Sequence, residues 1–185
     1  MVEIHENYKV SVPPPWFRST VERLLRSLGP ERVGGLRSVV LTDATGIGRG
    51  KTIRVGGRKY DRNRCRGFYN REWRGQMAWI QLMTDNIVEG SPTFLLRFQL
   101  FRDLAVADTL YHEVGHHLHE TIGSATRGGE EAAEYWRRRL WRIHFRRQYQ
   151  SVRPVLRVLK PLASLSLLLI NRWLRTAEKG SRSTA

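Results

Sequence analysis

Cysteine is nearly absent: Cys65 is the single thiol in 185 residues. One thiol makes no intramolecular disulfide and no Cys-based structural zinc site, and a chain without disulfides suits a reducing compartment. Lysine is scarce as well. It stands only at 9, 51, 59, 160 and 179, so arginine supplies the rest of the 32 basic residues, against 17 acidic ones, for a net charge of +15 and a pI of about 11.1. That balance suits an anionic partner, nucleic acid or a membrane surface. It equally suits an arginine-rich surface that meets only water. Long apolar runs are missing too. The best, within 162–174, is far shorter than the ~20 residues a bilayer span needs, and Arg153, Arg157, Lys160, Arg172 and Arg175 flank or interrupt its neighbourhood. Residues 1–15 hold no apolar h-region, so no signal peptide is expected. The expected location is the cytoplasm, with a peripheral place at the membrane surface as the variant the C-terminal arginines allow. There are no internal repeats.

What is present is an ordinary globular composition, 41% hydrophobic and 26% charged, in a length that suits one domain with a real core and an appendage. Residues 1–15 read as an extended lead-in, because Pro13, Pro14 and Pro15 forbid helix. Over 16–28 the apolar stripe Phe17, Val21, Leu24, Leu25, Leu28 predicts a helix, stopped by Gly29-Pro30. Residues 36–42 read as a strand, 59–70 and 77–88 as two more. The Gly-rich stretch 43–57 ends in Gly50-Lys51-Thr52, like a Walker A motif, but the first glycine of that motif falls on Thr45. No nucleotide cofactor is expected, and the stretch reads as a hairpin or mobile loop. Residues 94–105 lead into a helix ending near 120, 123–129 form a small flexible loop, and 130–149 form a second helix, acidic at its start and arginine-rich after it. A further helix over 162–174 and a disordered tail complete the chain.

The chemistry gathers at His112-Glu113-Val114-Gly115-His116. Residues i and i+4 of a helix share a face, so the two imidazoles can aim at one point, as a Zn²⁺ ion requires of nitrogen ligands at roughly 2.0–2.1 Å. Glu113, beside the first ligand, is placed to act as general base on a water. The apolar residues Leu104, Val106, Leu110, Val114 and Leu118 supply the buried helical setting such a site needs. A catalytic zinc takes a third protein ligand. The metzincin pattern would require a glycine at position 119 and a histidine at position 122, whereas this chain has His119 and Ile122. His119 itself is a candidate, although two turns of rise separate it from His112. A glutamate opening the next helix, Glu130 or Glu131, is another.

His112-Glu113-x-x-His116 followed by Glu130-x-x-Ala133-Glu134 resembles the gluzincin pattern HExxH…ExxA[DEN], and most of all the compact minigluzincins. The resemblance implies a zincin-like α+β fold: an N-terminal helix, a small, mostly antiparallel three-stranded sheet, the HExxH helix, a Glu-bearing helix and a C-terminal helical extension. It implies one Zn²⁺ per chain held by His112, His116 and Glu130, with Glu134 orienting a ligand histidine, although Asp or Asn is commoner at that position. It also implies a peptide or protein substrate lying along an edge strand, assigned to Ala78, Trp79, Ile80, Gln81 and Leu82 within 78–84. The domain boundaries expected are 1–15 for the lead-in, 16–150 for the peptidase domain, 151–175 for a basic amphipathic segment and 176–185 for the tail. For the developing oxyanion, His117, His119, Tyr111, Tyr135 and Tyr149 are the nearby donors.

Two other readings stand beside the peptidase. One is a regulatory or binding protein on a gluzincin scaffold. The other is a protease that uses its basic surface, through the arginines of 137–147, at DNA or at a membrane. SprT-like proteases also carry HExxH and act at DNA, but with a histidine as third ligand.

Overall fold

The computed structural model describes residues 2–44, 52–55, 58–61, 64–123 and 128–150, with 52–55 and 58–60 as backbone only. The stripe predicted over 16–28 forms α1, Trp16–Leu28, and all five of its apolar residues are buried. Gly29, at φ +82°, turns the chain out of the helix, a conformation that costs glycine little. A single turn, α2 (Pro30–Val33), leads into β2 (Leu36–Thr42).

The sheet corrects the expectation of three mostly antiparallel strands. It has four, in the order β1-β2-β6-β5. β1 (Glu3–Asn7) and β2 pair in parallel, as do β2 and β6 (Ala78–Met83), while β5 (Gly67–Asn70) runs antiparallel to β6. The fold is therefore a mixed α+β arrangement. The lead-in contributes the unexpected strand. β1 is exposed at four of its five positions, so it carries no apolar alternation to read. What seats the chain just after it is buried Asp43, whose Oδ2 accepts from the backbone N–H groups of Lys9, Val10 and Ser11 at 3.2, 2.6 and 2.8 Å.

Two other strands are shorter than expected. Residues 59–70 hold two strands in different sheets: β4 (Arg58–Asp61), which forms a hairpin with β3 (Thr52–Val55), and β5. The run over 77–88 is a strand only to Met83, after which α3 (Thr84–Glu89) begins.

α4 (Gln99–Leu118) carries the histidine motif and continues as a π-helical turn, His119–Gly123. Its Val106, Leu110, Val114 and Leu118 join Val39 and Leu41 of β2, Ile80 and Leu82 of β6, and the α1 stripe in one core. α5 (Gly129–Gln148) adds Leu140 to it. Beneath the core a polar cluster ties three helices together. Asp103 on α4 is bonded to Arg23 on α1 and lies 3.4 Å from His144 Nε2 on α5. His144 Nδ1 lies 2.9 Å from Ser27 Oγ, which is 3.2 Å from the Tyr111 hydroxyl. Buried polar groups must be satisfied in this way to be tolerated.

By internal packing the chain divides into Met1–His144 and Phe145–Ala185. Of the second unit only residues 145–150 are described, so the amphipathic segment 151–175 and the tail lie outside the described residues, as do 45–50 and most of the expected loop 123–129. Among the described residues no helix is long and apolar enough to cross a membrane.

Candidate metal centre and cleft

On α4 the four-residue spacing acts as expected. The His112 and His116 rings stand 4.9 Å apart, at 89° to each other, and both are part-exposed on the face opposite the core. Glu130, in the first turn of α5, completes the set. Its Oε2 lies 3.4 Å from His112 Nε2 and 3.8 Å from His116 Nε2, and one ligand atom from each of the three residues lies within 4.8 Å of the others. Ligands about 2.05 Å from a tetrahedral zinc stand about 3.3 Å from one another, so the 3.4 Å separation of Glu130 from His112 matches such an ion, and the wider separations would close around it. The donors, two imidazoles and one carboxylate, are also those zinc takes in catalytic sites.

The choice of Glu130 over its neighbour comes from how the helices meet. They run antiparallel, Asp108 opposite Arg137 and Gly115 opposite Ala133. At Gly115 a Cβ would lie 2.5 Å from the Ala133 carbonyl oxygen and 2.9 Å from its Cα, so the backbones touch where both residues are small. Glu130 sits three residues before Ala133, on the turn that faces the histidines. Glu131 is exposed and outside the group of donors, and so is half-buried His119, whose Nδ1 has no hydrogen-bond partner.

Glu134 is bound by other groups than those expected of it. Its carboxylate accepts from Arg137 (Nε and Nη2, both 2.7 Å) and from Arg138 Nε (2.8 Å), rather than from either imidazole. Arg137 also bonds Asp108, one helical turn before His112. The residue expected to orient a histidine thus braces α5 against α4.

Glu113 is 7% exposed, packed between α4 and β5. Burial first, then the charge of Glu130, push its carboxyl up to about 8, while a hydrogen bond from the Tyr69 backbone pulls the other way. At Gly67 a Cβ would meet Thr109 Cγ2 at 2.7 Å and Glu113 Oε1 at 3.0 Å, so only glycine lets the strand approach this carboxylate so closely.

The edge-strand assignment is corrected. Ala78, Trp79, Ile80, Gln81 and Leu82 belong to β6, which lies between β2 and β5 with both sides of its main chain paired. It has no free edge to offer a peptide. The strand at the sheet's edge beside the motif is β5, whose Gly67, Phe68, Tyr69 and Asn70 line a cavity of about 880 Å³ together with His112, Glu113, His116 and Glu130.

Of the proposed oxyanion donors, His117 is buried and bonded to the Gly34 carbonyl oxygen at 2.8 Å. Tyr111 is buried in the core, Tyr135 is exposed on α5, and Tyr149 belongs to the second unit. Tyr69, absent from those candidates, lines the cavity. Its hydroxyl donates to Glu120 Oε2 at 3.2 Å and lies 3.3 Å from His117 Nδ1, and its ring stacks over His116 with centroids 6.4 Å apart. A short strand after a basic run gives little sequence signal, and its one distinctive mark is Gly67. Comparison with known protein families, curated proteins and solved structures gives no match for this chain, so its own residues carry the functional argument.

Proposed function

We propose that the protein is a zinc-dependent peptidase that hydrolyses peptide bonds with Glu113 as general base. The observation that carries this is the convergence of His112, His116 and Glu130 from two helices, within 4.8 Å of one another, beside a buried carboxylate in an open cavity. These three residues would hold the metal, which when bound lowers the pKa of a water toward ~7 and polarises a carbonyl. Glu113 accepts the proton of the attacking water and returns it to the leaving amine. Its burial excludes bulk water from the carboxylate.

The substrate's main chain lies along β5, the edge strand beside the motif, which brings its carbonyls alongside Glu113. A metal kept for structure alone has no use for a buried base beside its ligand, which favours catalysis over a binding scaffold.

Elemental analysis of the purified protein tests the site: about one zinc per chain is expected, lost in Glu130→Ala. Chelator-sensitive cleavage of a peptide library tests the activity, with Glu113→Gln keeping metal and losing cleavage. Metal content indifferent to Glu130→Ala, or a Glu113→Gln variant that cleaves as fast as the parent, would refute the proposal.

A further inference from the structure

The two walls of the cavity differ in charge and in how that charge is used. The helical wall carries Asp108, Glu113, Glu120, Glu130 and Glu134, and each is engaged. Asp108 is bonded to Arg137, and Glu134 to Arg137 and Arg138. Glu120 accepts from Tyr69, Glu130 faces the imidazoles, and Glu113 is bonded by the Tyr69 backbone. The strand wall carries Arg64, Arg66 and Arg71. Among the described residues, Arg64 has only a loose contact, 3.8 Å, with exposed Asp61. Among the described residues, Arg66 and Arg71 have no ion-pair or side-chain hydrogen-bond partner.

Arg66 is placed as well as unpaired. Its guanidinium carbon lies 3.0 Å from where a Cβ of Gly90 would stand, so the group rests over the bare backbone that ends α3. Arg66 directly precedes β5 and Arg71 directly follows it. At about 3.3 Å per residue, the five steps between them span roughly 16 Å, the length of five residues of a peptide lying along the strand.

We propose that this cleft selects acidic peptide segments, with carboxylate side chains toward the two ends of the bound stretch meeting Arg66 and Arg71. As a statement about substrate it rests on the peptidase reading; as a statement about binding it does not. Neutral segments leave both guanidiniums without a counter-charge, and basic segments face repulsion. Both arginines are exposed, so each contributes about 2–5-fold in affinity at low salt, and the preference fades as salt rises.

Fluorescence anisotropy with full-length Glu113→Gln protein, loaded with zinc, tests the binding. The probes are a labelled heptapeptide with Glu near both ends and its Gln counterpart, at about 50 and about 300 mM NaCl, one salt level on either side of physiological screening. The acidic peptide should bind about 5–20-fold tighter at low salt, and adding Arg66→Ala and Arg71→Ala together should erase the advantage while the thermal melt stays put. Adding Arg142→Ala instead, which removes an exposed charge outside the cavity, should leave it intact.

Equal binding of the two peptides overturns the proposal, as does an Arg142→Ala loss equal to that of the cleft pair, which would make the effect general attraction to a basic protein. A single-stranded oligonucleotide that binds tighter than the acidic peptide through the same two arginines would assign the cleft to nucleic acid and overturn it too. With the parent enzyme, the acidic peptide should show the lower KM at similar kcat. If the parent cleaves nothing while the binding pattern holds, the peptidase reading falls and the acidic preference stands.

Discussion

Replacing Gly115 by alanine tests how the site is held together without touching any donor. A Cβ there would sit 2.5 Å from the carbonyl oxygen, 2.9 Å from the Cα and 3.1 Å from the carbonyl carbon of Ala133, all of them backbone atoms that no rotamer change can clear. To restore contacts of about 3.5 Å the two helices must part by roughly 0.5–1 Å. Overpacking of this kind costs about 1–3 kcal/mol, and the better helix propensity of alanine returns about 1 kcal/mol. The net loss of stability is therefore small, up to about 2 kcal/mol, or a few degrees in Tm for a chain of this size.

Metal binding should suffer out of proportion. Glu130 rides on α5 and the histidines on α4, and a metal–ligand distance tolerates only about 0.2 Å. Zinc affinity should fall at least about 10-fold, or about 1.4 kcal/mol, the scale reached even by changes that only misorient a ligand. Competition with a chromophoric chelator measures the affinity, and calorimetry with and without metal measures the stability. Gly34→Ala is the control, because its Cβ would meet nothing closer than the Pro30 carbonyl oxygen at 3.4 Å. Gly115→Ala protein that binds zinc as tightly as the parent would show that the Gly115–Ala133 contact does not set the position of Glu130.

Three further outcomes are expected. Gly67→Ala drives a methyl into Thr109 and Glu113, so kcat should fall roughly 10-fold or more, as small misplacements in active sites do, while bound zinc stays at parental level. In the metal-free protein the Glu113 carboxyl, raised from 4.5 to about 8, favours folding fully below pH 4.5 and loses that contribution as the pH rises through about 8. Glu113→Gln should therefore melt progressively higher than the parent across that window when both are kept in chelator, and a pH-independent difference would count against burial as the cause. Asp103→Ala strands Arg23 and buried His144, and breaking a buried pair by removing one partner costs about 3–5 kcal/mol; a denaturant midpoint within error of the parent would show the cluster to be energetically idle.

The elements that can be read to the residue, α1 and β2, are those where apolar period and turn residues agree. Phe17 to Leu28 repeats at helical spacing against Gly29-Pro30, and Leu36 to Thr42 follows Gly34-Gly35. β1 is not legible because its fixing contacts come from more than thirty residues away, through Asp43 and the parallel partner β2. The histidine pair is legible for the opposite reason: i and i+4 on one helix is local geometry. The third donor is only half legible. Glu130 and Glu131 are equivalent to any local rule, and they are told apart by a contact between backbones, which requires Gly115 on one helix to find Ala133 on the other.

The misplaced edge strand has a physical cause of the same kind. Residues 78–83 have the strongest strand pattern in the chain because β6 is central, flanked by β2 and β5 and buried at four of its six positions. A strand that must leave one side of its main chain free for a peptide can be short, and it need not bury much. β5 is such an edge strand, short at four residues with one of them buried, and its outer side faces Glu113. The features that make a strand visible in a sequence are therefore those that disqualify it as a docking edge. In the proposed reading β5 takes that role instead, through its glycine and flanking arginines: Gly67 admits the Glu113 carboxylate to the strand, and Arg66 and Arg71 stand at its two ends. Under that reading the close approach to Glu113, the edge and its flanking charge fall on six consecutive residues, 66–71, that carry no motif at all.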